Sequence, residues 1–275
     1  MLQRSETGPK YAEDYRAFVG PEDGYDRMSA MQFNLLTFLG LREDHYLLDI
    51  GCGSLRAGRL FIPYLKPGRY FGIEPEAWLL EEGIDKEAGR SLIEVKRPSF
   101  SSNAEFELSV FDQQFDFIIA QSIFSHTAEW QIRKCLAEAK TVMKPDARFA
   151  VSYFEGRENY SGDRWAVVAT YTRKRMTELA EEAGLHCEPL DWPHTDRQTW
   201  ILITHRERQK GAPELSSTAR ILQLEAHLDD LKRQRDLVYN HPWTKLGTKL
   251  HFFKIYLDFK TRGLMSSIRR QHSMP

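Results

Sequence analysis

Residues 47–59 read LLDIGCGSLRAGR, and they decide the fold. With Tyr46 they open on YLLDI (46–50), a short apolar run with the character of a buried strand. Gly51 and Gly53 then predict a tight turn, and Leu55 to Leu65 continues with the apolar spacing of a helix. A strand that passes through glycines straight into a helix brings bare backbone and a helix N-terminus together. The helix start points unpaired N–H groups and positive potential outward. Glycine lets a ligand lie flat against the main chain, where a Cβ would block it.

Working outward, the same alternation repeats. RYFGIE (69–74) predicts a second strand, followed by a helix around Trp78–Ala88. FELSVF (106–111) predicts a weaker third strand, and FDFIIAQ (115–121) the most apolar strand of the chain. A helix from about Trp130 to Val142 should stop at Lys144-Pro145. ARFAVSYF (147–154) is a further strand, and RKRMTELAEEAGL (173–185) a helix closed by Gly184. His186–Asp191 and Thr199–Thr204 read as a closing antiparallel hairpin. Strands alternating with helices predict an α/β fold, a largely parallel sheet covered on both faces.

The acid that ends the second strand narrows the ligand. Glu74 stands 21 residues after Gly53, where a carboxylate in a βαβ unit accepts hydrogen bonds from both hydroxyls of a ribose. The dinucleotide fingerprint needs a third glycine at position 56, and Arg56 stands there. A pyrophosphate pressed on the helix start would meet that side chain. S-adenosylmethionine carries no phosphate, so two glycines suffice. Its ammonium and carboxylate suit an acid at the strand end and backbone donors at the turn. The pattern favours S-adenosylmethionine over NAD.

DIGCG (49–53), GIEPE (72–76) and FDFIIAQSIFSH (115–126), in this order, resemble the class I S-adenosylmethionine-dependent methyltransferases over about Tyr25 to Arg206. The resemblance implies a Rossmann-like seven-stranded sheet in the order 3-2-1-4-5-7-6, its last strand antiparallel, with the cofactor across the strand ends where the order switches. It implies Asp49 near the methionine ammonium, with Gly51, Cys52 and Gly53 lining the cofactor. Glu74 would hold the ribose, Pro75 would border the adenine, and Gln121 and Ser122 would face the methyl donor. The third-strand adenine motif has no clear match; Asn103 and Glu105 are candidates. A longer pattern from MQFNLLTFLGL (31–41) through CGSLRAGRLFIPYLKPGRYFGIEPE (52–76) looks like bacterial enzymes that methylate sugars and cell-surface glycans. The expected reaction is therefore O-methylation of a glycan or sugar-containing acceptor. The alternatives are a small specialised metabolite as acceptor, or a non-catalytic scaffold that binds S-adenosylmethionine.

Methyl transfer to an alcohol needs a base near the reacting oxygen. His126, just past the fourth strand, and Glu155, just past the fifth, are the catalytic candidates, with Tyr153 to orient a hydroxyl. Arg56 either reaches the cofactor carboxylate or forms an ion pair on its own helix. His194 and Asp196 read as turn-formers. Trp78, Phe124, Tyr160 and Trp165 are candidates to stack on an acceptor, and Tyr25 and Gln32 lie in an N-terminal segment expected to act as a lid. No cluster of His, Cys, Asp or Glu has metal-ligand spacing, so no metal is expected.

Composition sets the surroundings. The chain has 275 residues, 41% apolar and 28% charged, enough for a core and too apolar for disorder. Its three cysteines, Cys52, Cys135 and Cys187, are odd in number and widely spaced, which fits a reducing cytoplasm. No apolar run approaches the ~18 residues of a membrane span, and the first residues lack a signal peptide's apolar core. The net charge of −1 hides seven Lys/Arg against one acid in 241–275. The remaining body is acidic, which argues against nucleic acid as a partner. The expected domains are an arm (1–24), the cofactor domain (25–206), a linker with a helix (207–240) and a basic amphipathic tail (241–275). The tail would rest on anionic lipid at the cytoplasmic face of the membrane, join two copies of the chain, or fold back on its own domain.

Overall fold

Leu47–Ile50 forms strand β1 and is buried along its whole length. A strand buried on both faces must be covered by helices on both, and parallel neighbours must be joined by crossovers long enough to supply them. The computed structural model, which describes residues 14–20, 22–206, 229, 232 and 233, shows that arrangement. Helices α1 (Tyr15–Phe18) and α2 (Tyr25–Phe38) precede β1. There follow α3 (Gly58–Tyr64), β2 (Tyr70–Ile73), α4 (Ala77–Gly83) running into a π-helical turn (Ile84–Ala88), α5 (Arg90–Lys96) and β3 (Ser99–Ser101). Then come β4 (Phe115–Ala120), α6 (Glu129–Val142), β5 (Met143–Glu155), β6 (Thr170–Tyr171), α7 (Arg173–Glu182), β7 (His186–Leu190) and β8 (Thr199–Thr204).

The sheet runs β3-β2-β1-β4-β5-β8-β7, with the two-residue β6 beside the end of β5. β3, β2, β1, β4 and β5 pair in parallel, and β8 is antiparallel to both β5 and β7. This is the predicted order with its last two strands renumbered by the unpredicted β6. Side chains alternate across the sheet. Leu48, Ile50 and Phe149 pack under α6 and α7 with Ile132, Leu136 and Leu179. Leu47 and Phe117 face the other layer, with Leu35 and Leu36 of α2 and Phe61 of α3. The order reverses between β1 and β4, whose neighbours diverge and leave a crevice at the strand ends.

Two local expectations require correction. FELSVF is not the third strand: Leu108–Phe111 is a 3-10 turn, entered at Phe106 with φ +54° and left at Asp112 with φ +48°. The strand that pairs β2 is Ser99–Ser101, whose three residues carry no pattern long enough to read. The helix ending near 142 does stop, but Pro145 lies inside β5 rather than after it. The pairing of β4 with β5 shifts register between Phe115 and Phe117 beside it, a bulge of the kind that accommodates proline in a strand.

The chain divides into two compact units, Met1–Ala219 and Arg220–Pro275. The expected arm before residue 14, the linker and helix of 207–240 apart from residues 229, 232 and 233, and the basic tail lie outside the described residues. In the second unit Asp229, Lys232 and Arg233 are helical, and Lys232 Nζ meets Asp229 Oδ1 at 3.1 Å. Among the described residues, no helix is long and apolar enough to cross a membrane.

Candidate active site

The turn after β1 is built by backbone geometry that a side chain would obstruct. The N–H groups of Gly51 and Cys52 both donate to the Ile73 carbonyl, at 2.8 and 3.0 Å, tying the turn to the end of β2. Gly51 and Gly53 have φ of +72° and +56°. A Cβ on Gly51 would collide with Ile123 Cδ1, and one on Gly53 would stand 3.0 Å from Val19 Cγ1. The glycines thus let Ile123 and Val19 pack directly against the turn, and the turn lines a cavity of about 850 Å³. Asp49, Gly51, Cys52, Gly53, Glu74, Pro75, Gln121, Ser122 and His126 all line it.

Glu74 is held in the buried wall of the crevice by main-chain donors. Gly53 N–H donates to its Oε2 and Glu76 N–H to its Oε1, each at 2.9 Å. Burial raises its pKa while those two amides lower it. Each oxygen keeps lone-pair capacity for a further donor, so the carboxylate can accept a pair of hydroxyls. Leu79, Asn103, Ala104, Phe106 and Leu108 continue the wall beyond it. Of the two adenine candidates, Asn103 is on this wall. Glu105 faces Lys134 at 3.7 Å and is not. The 3-10 turn misread as a strand is therefore what brings Phe106 and Leu108 to the cavity.

Asp49 lies beneath the turn, buried, with Tyr70 Oη donating to its Oδ2 at 2.8 Å. Burial pushes its pKa up to about 7, against the lowering effects of Tyr70 and Arg56. Arg56 is also buried, contrary to the exposed ion pair that was one of its two readings. Nη1 donates to the Val19 carbonyl at 2.6 Å and Nη2 to Gln121 Oε1, and burial lowers its pKa. Its Nε is buried with no hydrogen-bond partner, so the cavity presents a guanidinium with donor capacity left over.

Opposite stands a polar network that the sequence did not reveal. Gln121 Nε2 donates to Ser122 Oγ at 2.7 Å and lies 3.1 Å from His194 Nε2. Gln198 Nε2 donates to the same Ser122 oxygen at 2.5 Å, and Ser152 Oγ donates to Gln198 Oε1 at 2.7 Å. Ser122 N–H donates to Ser152 Oγ at 2.8 Å, closing the ring. His194 is more than a turn-former. Its Nδ1 accepts the Asp196 N–H, and burial, with Arg56 nearby, depresses its pKa to about 3. The only available signal was position: residues 194–198 lie in the β7–β8 loop, which β8 carries back beside β5.

His126 is half-buried at the outer side of the cavity. Its Nδ1 lies 3.1 Å from the Ala166 carbonyl. A carbonyl only accepts, so Nδ1 carries the proton and Nε2 is the basic nitrogen of the neutral ring. Trp165 stacks on the imidazole at 5.5 Å and 17°. The second catalytic candidate is placed elsewhere. Glu155 does not line the cavity; Arg173 Nη2 and Thr199 Oγ1 hold its Oε2 at 2.9 and 3.3 Å. The residue lies at the far end of β5, where strand geometry turns its carboxylate to α7. Tyr153 and Phe124 are core residues, and Tyr160 bonds its own loop through the Arg164 carbonyl at 3.2 Å. Over the turn, Ala17, Phe18, Val19, Gly20 and Gln32 complete the enclosure. Tyr25 supports them from below, its hydroxyl 2.9 Å from Ser54 Oγ.

Residues 48–149 match the family described as Methyltransferase domain. That stretch contains the glycine turn, Glu74 and the polar residues after β4. The chain carries a methyltransferase domain. Solved methyltransferases share the fold. The mitomycin 7-O-methyltransferase MmcR aligns with a TM-score of 0.55 at 16% identity over 73% of this chain and 59% of its own. Magnesium protoporphyrin IX methyltransferase (ChlM) from Synechocystis PCC 6803, solved with bound SAM, aligns at 0.52 and 13% identity over 73% and 93%. DhpI, solved as its SAH complex, aligns at 0.51 and 14% identity over 72% and 93%. The chain thus spans well under two thirds of the mitomycin enzyme's length, and the likenesses are of fold.

Proposed function

We propose that this protein uses the methyltransferase domain to transfer a methyl group from S-adenosylmethionine to a hydroxyl of its acceptor. The observation that carries the reading is the Glu74 carboxylate, fixed by the Gly53 and Glu76 amides beside the glycine turn. The cavity fits the cofactor in its donors and acceptors: Asp49 and Glu74 line it beside the Gly51–Gly53 turn, and the unsatisfied Arg56 Nε calls for an anion. S-adenosylmethionine is the cofactor of the domain, and when bound it supplies a methyl group already activated on a sulfonium.

The chain's own residues do the rest. Glu74 accepts the ribose hydroxyls, Asp49 balances the ammonium, and Arg56 serves the carboxylate. Leu79, Phe106 and Leu108 exclude water from the adenine. Gln121 and Ser122 stand where the methyl is presented, with Ser122 pinned by two amide donors so that its own O–H remains to donate. His126 Nε2 is placed to take the acceptor's hydroxyl proton, and that oxygen would receive the methyl group from the bound cofactor, whose sulfonium leaves as the neutral thioether. Positioning supplies most of the acceleration in such a displacement, and the base adds about 10²–10⁴-fold.

Calorimetry with S-adenosylmethionine and S-adenosylhomocysteine tests the reading. Wild-type protein should bind both, and Glu74→Ala should lose about a hundredfold in affinity, as expected for two charge-assisted hydrogen bonds. Absence of binding by the wild type would refute it. The acceptor read from the sequence is a glycan or a small molecule, and the wall around His126 bears on that choice.

A further inference from the structure

Among the described residues seven large apolar side chains are exposed, and four of them, Phe18, Trp165, Val167 and Val168, line one cavity. Their exposures are 46%, 54%, 90% and 54%. Scattered apolar side chains on a surface need no explanation, but a cluster of them at the mouth of a crevice does. The loop that carries three of the four is fastened along its length. Ala166 N–H donates to the His126 carbonyl and Ala169 N–H to the Ser125 carbonyl, both at 2.7 Å. Trp130 Nε1 donates to the Asp163 carbonyl at 2.9 Å. These bonds occupy main-chain groups of the loop, so it turns side chains rather than amides toward the cavity. Trp165 lies nearly parallel to the His126 imidazole, which places a flat aromatic surface directly beside the basic nitrogen.

We infer that the acceptor is a neutral, flat, largely apolar ring compound bearing a hydroxyl, seated against Trp165, Val167 and Val168 with that hydroxyl at His126. The inference rests on the methyltransferase reading above and names its substrate class. A sugar would need partners for several hydroxyls at once. The polar side chain packed on Trp165 is His126, whereas Glu74 is bonded to the glycine turn and Gln121, Ser122 and Gln198 to one another. Hydroxyls desolvated without partners oppose binding, and an apolar ring that covers the three side chains gains by burial. The wall thus favours a small aromatic or fused-ring molecule over a glycan.

Calorimetry on the full-length protein tests this in two stages. S-adenosylhomocysteine is titrated first, and then naphthol or methyl glucoside is titrated into the saturated protein. Naphthol should bind about tenfold more tightly than the glucoside, the scale expected for burying one or two apolar side chains. Trp165→Ala and Val168→Ser should each weaken naphthol several-fold, with S-adenosylhomocysteine affinity unchanged as the control for folding. If S-adenosylhomocysteine binds but naphthol binds no better than the glucoside, or ignores both substitutions, the acceptor class is overturned while the methyltransferase reading stands. If S-adenosylhomocysteine does not bind, both are overturned.

Discussion

His126 and Ala166 hold each other by two hydrogen bonds. The Ala166 N–H donates to the His126 carbonyl at 2.7 Å, and His126 Nδ1–H donates to the Ala166 carbonyl at 3.1 Å. The first bond fixes the loop to the segment after β4; the second fixes the imidazole tautomer. One residue of the Trp165 loop therefore sets which ring nitrogen carries the proton, and the two cannot move apart independently.

His126→Ala should lower kcat by about 10²–10⁴-fold, the range for loss of a placed base. S-adenosylhomocysteine affinity should stay near the wild-type value, because the ring lies outside the glycine turn and the Glu74 grip. Single-turnover methylation with calorimetry in parallel checks both halves. A variant that lost affinity and turnover together would point to a structural role.

Asp49 and His194 give the free protein two opposing pH dependences. The Asp49 carboxyl, raised from 3.8 to about 7 by burial, stabilises the fold below pH 4, and that stability drains away as pH rises toward 7. The shift corresponds to about 4 kcal/mol. His194, lowered from 6.5 to about 3 by burial, stabilises above pH 6.5 and loses its contribution as pH falls, by a similar amount. Between pH 4 and 6.5 the two slopes offset each other in the wild type. Asp49→Asn should therefore be the more acid-sensitive protein and His194→Gln the more alkali-sensitive one. Urea denaturation from pH 4 to 8 resolves the crossing.

The same Asp49 proton should govern cofactor binding. An ammonium group favours the ionised carboxylate, so affinity for S-adenosylhomocysteine should rise with pH up to about 7, by up to about tenfold per pH unit, and level off above it. Asp49→Asn should bind weakly and show no such rise. Calorimetry in buffers of different ionisation enthalpy would also register the released proton.

Arg56→Met should separate the two ends of the cofactor. Affinity for S-adenosylhomocysteine should fall about tenfold or more with loss of one charge-assisted contact. Methylthioadenosine, which lacks the amino-acid end, should bind as before. An equal loss for both compounds would assign Arg56 to holding the Val19 and Gln121 segments in place.

Gly51→Ala should destabilise the protein by about 2–4 kcal/mol, combining the left-handed backbone penalty with overpacking. The steric part comes from Ile123. In the background of Ile123→Ala, the same glycine substitution should cost less, leaving only the backbone part. Denaturant midpoints of the four proteins give the coupling directly.

Much of the inner half of the site was legible because its determinants are local. LLDIGCG and GIE combine a strand, a turn and an acid within a few residues, and the spacing between them is set by one βα unit. The same holds for the main strands and helices, whose patterns fill four or more residues. Ser99–Ser101 failed that test by brevity. FELSVF alternates like a strand, yet it turns at Phe106 and Asp112 because no neighbour offers it a ladder.

Sequence alone therefore determined the α/β class, the bare turn after β1 and the acid beside it, since backbone sterics and short-range pattern act through bonded neighbours. Only tertiary structure decided which groups complete the cavity. It turned Glu155 outward to Arg173 and drew Gln198 and Ser152 into one network with Ser122. It set His194 against Gln121 and pinned the Trp165 loop to His126. Those pairs stand 18 to 76 residues apart along the chain. The sheet's crossovers, not sequence proximity, bring such residues within hydrogen-bonding distance.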